Sequence, residues 1–219
     1  MIDISQLTIQ FDRDSHPLLY QAEMTIRSGE KVLLIGPSGS GKSILLKTIM
    51  GLLPEKFVLS GLFEIDNEQM NYHHYRYHPI HKRFSTIFQD AINSLHPYQK
   101  VGRQFKKITL EKFKQNCEAF RLNYDNINQA FPRQLSGGQC QRISMLFPYL
   151  LDMRDIVIFD EPITDIDPIS RKTILQLITK QFLCEPKKTV LYVTHRHNEL
   201  CNIDFHRYEI QKTSLIDKG

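Results

Sequence analysis

Residues 36–43 read GPSGSGKS, and few eight-residue stretches restrict a fold more. Before them, SGEKVLLIG joins a Ser28-Gly29 turn to a short all-apolar run, the pattern of a strand covered on both faces. After them, GKSILLKTIMGLLP sets Ile44, Leu45, Thr48, Ile49 and Leu52 at helical spacing, with Pro54 as the expected stop. Strand, glycine-rich turn and helix in that order fit G-x-x-x-x-G-K-[ST] in the context that gives the pattern meaning. Across Gly36, Pro37, Ser38, Gly39, Ser40 and Gly41, successive backbone N–H groups can curl round a polyphosphate, and the helix offers its positive N-terminus. Lys42 supplies a point charge for the outer phosphates and Ser43 a hydroxyl for Mg²⁺. The bland reading is a plain turn between strand and helix.

Two further apolar runs, DIVIFDEP and TVLYVTH, read as buried strands, and RKTILQLITKQFL between them reads as a helix, with Ile174, Leu177, Ile178 and Leu183 roughly on one side. Strand, helix, strand, repeated, predicts an α/β fold with a mostly parallel sheet covered by helices. Near the start, Ile2, Ile4, Leu7 and Ile9 predict strands with turns between them, and SGLFEIDNEQM a further hairpin strand. In TLEKFKQNCEAF, Thr109 is the expected N-cap, and Leu110, Phe113, Cys117 and Phe120 share one helical face.

Chemistry collects where these strands end. Asp160 and Glu161 close DIVIFDE, at the strand edge where ligands of open parallel sheets bind. Asp160 suits an inner- or outer-shell contact to Mg²⁺, and Glu161 can orient and polarise an attacking water. Alone, the pair would read as two solvated carboxylates. His195 follows TVLYVT; a neutral imidazole there can hydrogen-bond a phosphate or the attacking water, and the alternative is a surface histidine. Ser136, Gly137 and Gly138 precede another helix start, so they form a second anion site without a lysine. One triphosphate is not easily wrapped by two cradles of one sheet, which predicts that this second cradle serves a nucleotide held by another subunit. Helix capping is the alternative, and it leaves the second glycine unexplained.

The bulk numbers exclude several classes. A net charge of +4 over 219 residues, without a lysine-arginine block, gives no case for nucleic acid as a partner. The four cysteines form no C-x-x-C pair, so a metal or disulfide framework is not expected and a reducing compartment is. The N-terminus has no apolar core of a secretory signal, and runs such as ISMLFPYLL fall short of the roughly 20 residues that span a bilayer. A soluble chain that meets any membrane through a partner is the expectation.

Taken together, GPSGSGKS, LSGGQ, DEP and VTH, in this order, resemble the ATPase subunit of ATP-binding cassette (ABC) transporters over about residues 2–210. The resemblance implies a P-loop core at about 1–88 and 136–219, an antiparallel β arm and a short helical insertion at about 89–135, all in one domain, 1–219. It implies ATP and Mg²⁺ as cofactors and a head-to-tail pair of ATPase subunits, in which Ser136 and Gly138, within Ser136–Gln139, approach the γ-phosphate of the partner's ATP. It implies Gln89, in FQD, as a contact to Mg²⁺ or water that senses the membrane partner, and Asp167, in DEPITDID, as a residue reaching across the dimer. His195 matches the family's switch histidine. Phe11 falls where the family stacks an aromatic ring on adenine, with core packing as the alternative. The implied partners are a second ATPase subunit, a heterodimer rather than a homodimer, and integral membrane permease subunits; an extracytoplasmic solute-binding protein takes part indirectly. The implied place is the cytoplasmic face of the cell membrane.

A narrower likeness lies in FQDAINSLHPYQKVGRQF and FPRQLSGGQCQR, which are similar to importers of dipeptides, oligopeptides and nickel, with Ala91 and His96 where those usually carry Pro and Asn. Two departures stand out. Pro148 lies inside the helix after LSGGQ and is expected to kink it or end it early. Thr164-Asp165-Ile166 replaces a run of small residues. His73, His74, His78 and His81 read either as a metal site or, as their spacing favours, as a polar surface arm. Lys106, Lys107, Lys112, Lys114 and Arg121 read as a solvated helix face or a permease-docking surface. The expected function is ATP hydrolysis driving solute uptake, the expected solute classes being peptide, nickel or metal chelate. Alternatives are a soluble ABC-type ATPase acting on ribosomes or DNA, a P-loop kinase or GTPase, and an inactive pairing subunit.

Overall fold

The computed structural model describes every residue except 13–15, 89, 107, 152–154, 165, 197–199 and 201–202, together with the side chain of residue 151. The described chain forms two compact units. One comprises Met1–Ser85, Asp155–Ile158 and Pro186–Gly219; the other comprises Thr86–Arg154 and Phe159–Glu185.

The first unit opens with strands β1 (Ile2–Gln10) and β2 (Leu19–Ile26), then β3 (Lys31–Ile35), helix α1 (Lys42–Ile49), β4 (Val58–Ile65), β5 (Glu68–Asn71) and α2 (Tyr72–Tyr77). β1, β2, β4 and β5 make an antiparallel sheet in the order β2-β1-β4-β5. β1 is one strand, where the sequence predicted strands with turns between them. Its pairing with β4 slips by one residue between Ser5 and Thr8, and Gln6 sits at φ 52° beside the slip. Side chains alternate with a period of two, so one extra residue restores the same face. Ile2 and Ile4 before the bulge and Leu7 and Ile9 after it are therefore all buried. The β4–β5 turn carries Asp66 and Asn67 at φ 50° and 72°, as a two-residue hairpin of right-handed twist requires.

A second sheet has the order β10-β9-β3-β8-β7-β6 and is mostly parallel, with β6 (Phe84–Ile87), β7 (Ile156–Asp160), β8 (Thr189–Thr194), β9 (His206–Gln211) and β10 (Ser214–Asp217). β3 pairs in parallel with β8, from Lys31↔Val190 to Ile35↔Thr194, and with β9 on its other side. All six residues of β8 are buried, in accord with its unbroken apolar run. α1 buries Leu45, Leu46 and Ile49 but stops earlier than predicted. Gly51, at φ 70°, ends it: the Gly51 N–H bonds Thr48 O and the Leu52 N–H bonds Lys47 O, a Schellman closure formed before Pro54 is reached. Leu52 is consequently 55% exposed rather than on the buried face.

The histidine-rich segment also departs from the expected polar arm. Residues 72–77 are helical, capped by Asn71, whose side chain accepts from the His74 N–H. Tyr72 and Tyr75 are buried beside Phe63, and the Tyr75 hydroxyl donates to Ile49 O at the end of α1. The helix shows Tyr72 and Tyr75 to the core, and leaves His73, His74 and Tyr77 exposed. Among the described residues no group of three His, Cys, Asp or Glu side chains is arranged to hold a metal ion.

The second unit carries helices α3 (Val101–Gln104), α4 (Leu110–Ala119), α5 (Tyr124–Gln129), α6 (Gly137–Leu151) and α7 (Pro168–Ile178). Thr109 caps α4 by accepting from the Lys112 N–H. Phe113, Cys117 and Phe120 are buried as expected, but Leu110 is 66% exposed, since it lies in the first turn with no neighbour over it. α6 runs on through Pro148 to Leu151 instead of ending early. The residues on either side of the proline are held by aromatic pairs: Phe147 stacks on Phe105 at 4.3 Å, and Tyr149 meets Phe120 at 5.2 Å. No helix among the described residues is long and apolar enough to cross a membrane.

Candidate functional site

In the first unit, the loop from Gly36 to Gly41 leaves the carboxyl end of β3 and enters α1. Gly41 is the N-cap at φ 98°, ψ 7°, a left-handed backbone that a side chain would resist. Pro37, Ser38 and Gly39 are exposed, and the Ser40 N–H closes a turn onto Pro37 O at 3.2 Å. Lys42 lies back over this loop. Only 5% exposed, it donates to Gly36 O at 2.9 Å and Pro37 O at 3.0 Å. Ser43 is exposed in the first turn of α1. The Ser40 Oγ is buried with no hydrogen-bond partner among the described residues. A buried hydroxyl without a partner, a buried ammonium and the open N–H groups of a helix start form a donor set for an anion with several oxygens. The residues present fit a polyphosphate.

His195 follows β8 directly, just as Gly36 follows β3. Because Ile35 pairs with Thr194, the two residues leave neighbouring strands at one sheet edge. His195 is half-buried, with Nε2 3.5 Å from Arg196 Nε, and the Arg196 N–H is fixed on Thr194 Oγ1 at 3.0 Å. Phe11, one residue past β1, is 50% exposed, which excludes core packing as its main role. Its ring meets Phe57 edge to face at 5.5 Å and lies 5.1 Å from Lys56 Nζ.

In the second unit, Asp160 is the half-buried last residue of β7 and Glu161 begins the turn that follows. Glu161 sits at φ 47°, a left-handed conformation that costs a residue with a side chain about 1–2 kcal/mol. The Thr164 N–H bonds Glu161 O and the Thr164 hydroxyl donates to Glu161 Oε2, both at 3.2 Å, so the turn holds the carboxylate in place. Asp167 is exposed and caps α7, its Oδ1 accepting from the N–H groups of Ile169 at 3.1 Å and Ser170 at 2.9 Å. The Ser170 N–H, with its side chain, holds the Asp167 carboxyl below its ordinary pKa.

Ser136 and Gln139 form a reciprocal cap on α6. The Gln139 N–H bonds Ser136 Oγ at 3.2 Å, and the Ser136 N–H bonds Gln139 Oε1 at 2.9 Å. Ser136 and Gly137 are exposed, so the turn is open to a ligand. Gly138 is buried, and its lack of a side chain has a reason inside the chain: a Cβ there would fall 2.7 Å from the Ser170 Cβ. Close packing thus accounts for the second glycine that capping left unexplained. Beside Gly137 lies a cavity of about 320 Å³, lined also by Ala91, Gln141, Thr164 and Ile166. Gln141 was not singled out by sequence; it is fully buried and donates weakly to Phe88 O at 3.4 Å. A glutamine on the buried, mostly apolar side of α6 was the available signal. Gln89 lies outside the described residues.

The structure thus gathers the Gly36–Ser43 loop and His195 at one sheet edge of the first unit. Asp160, Glu161, Ser136–Gln139 and Asp167 belong to the second. Comparison with known proteins adds to this geometry. The profile of the family described as ABC transporter matches residues 19–164, about two thirds of the chain. The thiamine import ATP-binding protein ThiQ of Photobacterium profundum is 30% identical over 215 residues, covering 89% of this chain and 85% of that protein. A provisionally named ABC transporter ATP-binding protein of Clostridium perfringens, CPE1583, is 34% identical over 221 residues, 94% of this chain. The chain spans only 37–38% of the length of the first curated relatives it matches. Among solved structures, the dimeric MJ0796, a bacterial ABC transporter cassette, is similar with a TM-score of 0.75 at 25% identity, covering 98% of this chain and 96% of that one. CbiO1 of Clostridium perfringens, part of the ABC transporter complex CbiONQ, shares the fold with a TM-score of 0.75 at 22% identity, covering 98% of this chain and 86% of that one.

Proposed function

The chain belongs to the ABC transporter family, and from that premise we propose that it is an ATP-hydrolysing subunit that energises movement of a solute across a membrane. The observation that carries this reading is the loop at 36–43: Gly41 in a left-handed cap, the Ser40 hydroxyl buried without a partner, and the Lys42 ammonium out of water. Such a cradle favours charge that spreads over phosphate oxygens, where fixed donors cost no reorganisation. Lys42 exchanges its loop carbonyls for phosphate oxygens. Ser43, Asp160 and Gln89 are the residues that would hold Mg²⁺, which would supply neutralisation of phosphate charge. Glu161, set by its turn, accepts the proton of the attacking water, and His195 steadies that water or the outgoing phosphate. Phe11 stacks on the adenine.

Ser136, with the exposed Gly137 beside it in place of the expected Gly138, which is buried, faces the nucleotide of a second ATPase subunit. The dimeric MJ0796 structure supports such pairing, and membership of CbiO1 in a larger transporter complex supports permease partners. A heterodimer attached to the cytoplasmic face of the membrane remains the assembly we favour. Import is the favoured direction, because the thiamine import proteins are among the relatives. The peptide, nickel or metal-chelate class rests on the likeness within residues 88–105 and 131–142 alone.

The test is ATP turnover by the purified chain alone and with companions recovered from solubilised membranes. Glu161→Gln should keep ATP binding, lose turnover by about 100-fold or more and trap a dimer. Full turnover in Glu161→Gln would remove the proposed base, and absence of ATP binding to the wild-type chain would remove the whole reading.

A further inference from the structure

Ser170 joins two loops of the second unit. It is the third residue of α7, and its N–H donates to Asp167 Oδ1 at 2.9 Å. Its side chain stands against α6: a Cβ built on Gly138 would fall 2.6 Å from Ser170 Oγ and 2.7 Å from Ser170 Cβ. Rotating the hydroxyl away relieves the first clash but not the second, because the Cβ moves only with the helix backbone. Helix α6 therefore seats on α7 at a point where it has no side chain. Gly137 differs. Among the described residues a Cβ there would meet only Ile166 Cδ1 at 3.7 Å, an ordinary contact, and the residue borders the 320 Å³ cavity. The two adjacent glycines thus have separate reasons: the first leaves room, and the second receives Ser170. Close-packed contacts of this kind transmit displacement rather than absorb it.

We propose that Ser170 is a positioning residue that locks the Asp167 cap to the Ser136–Gly138 turn, so that the two loops shift together. Its functional meaning rests on the ATPase reading, in which both loops face a partner subunit, while the contact itself does not. On this account a displacement of the start of α7, felt through Asp167, moves the first turn of α6 by the same amount. Neither the cap nor the turn can be repositioned alone.

Two measurements on the full chain test it. Gly138→Ala should keep ATP affinity, which the 36–43 loop sets, and lower turnover about tenfold; adding Ser170→Gly should restore turnover to within about threefold of Ser170→Gly alone. Gly137→Ala should gain nothing from Ser170→Gly. Hydrogen exchange in the 136–141 segment reads the same coupling without any ATPase activity. Asp167→Ala should speed exchange there at least about threefold, and should do so far less when residue 170 is already glycine. If the wild-type chain turns over no ATP, the ATPase reading fails, and the exchange measurement still decides the role of Ser170. Exchange at 136–141 that ignores Asp167→Ala, or a Gly138→Ala defect that Ser170→Gly leaves in full, overturns the proposal. A Gly138→Ala chain that does not fold leaves the decision to the exchange measurement.

Discussion

Replacing Phe11 with alanine separates recognition of a base from recognition of phosphate. The ring is 50% exposed, with Phe57 edge-on at 5.5 Å and Lys56 Nζ 5.1 Å from its centroid. Stacking of a nucleobase on an aromatic ring contributes about 1–3 kcal/mol. An ammonium over an exposed ring contributes about 0.5–1 kcal/mol, and part of that is forfeited if the base takes its place. The balance is about 1–2 kcal/mol, so Phe11→Ala should weaken ATP about 5- to 30-fold. Inorganic tripolyphosphate offers the 36–43 loop the same phosphates without a base, and its affinity should stay within about twofold. Titration calorimetry with the two ligands gives the comparison directly, and Phe11→Tyr should behave as wild type. Equal weakening of ATP and tripolyphosphate would mean that the ring supports the loop instead of the base. No weakening of either would remove Phe11 from the site.

Two further outcomes concern the frame of the fold. His206 bridges Glu30 at 2.9 Å and Asp217 at 2.8 Å. Burial alone would lower its pKa, but its hydrogen bonds to Glu30 and Asp217 outweigh that and raise it above the ordinary 6.5. A raised histidine contributes stability in full below the unfolded value of 6.5 and loses it as pH rises through the folded value. Glu30, whose burial is outweighed by the Arg27 N–H and by His206, and Asp217, held mainly by the Gly219 N–H, are both lowered; their contributions exist above 4.5 and 3.8 and fade as pH falls through the folded values. The loss in melting temperature caused by His206→Gln should therefore be greatest between pH 4.5 and 6.5 and smaller at pH 9. A loss independent of pH would refute the ionic bridge. In α4, Phe113→Ala should cost about 3–5 kcal/mol in urea denaturation, whereas Leu110→Ser should stay within about 0.5 kcal/mol. Equal costs would contradict the burial of the first and the 66% exposure of the second.

The parts of this chain that were legible in sequence are those whose chemistry demands fixed residue types at fixed spacing. GPSGSGKS announced its strand, turn and helix because lysine, glycines and hydroxyl at that spacing fit a polyphosphate only between a strand and a helix. The parallel strands were legible because burial on both faces leaves an unbroken apolar run, as in β8. Punctuation was harder to read. Gly51 and Pro54 both interrupt a helix, and only the hydrogen bonds to Lys47 and Thr48 show which one acts first. In YHHYRY the histidines hid two tyrosines that turn inward, since a six-residue helix displays too few positions for a period to emerge. The early end expected at Pro148 did not occur, and the rings that pack on Phe147 and Tyr149 beside it, Phe105 and Phe120, come from distant parts of the chain. Gly138 was read through its neighbours in LSGGQ, yet the atom that requires it belongs to Ser170, 32 positions later.

The bulge at Gln6 works as a parity setting for the strand that carries Phe11. Were the bulge flattened with every residue kept, inward and outward would exchange for every position from Leu7 onward, and the proposed base platform would leave the sheet from its opposite side. A solvent-facing glutamine five residues upstream thereby governs where an aromatic ring is presented. Single-residue deletions near the N-terminus should consequently be judged by odd and even, not by distance from the nucleotide.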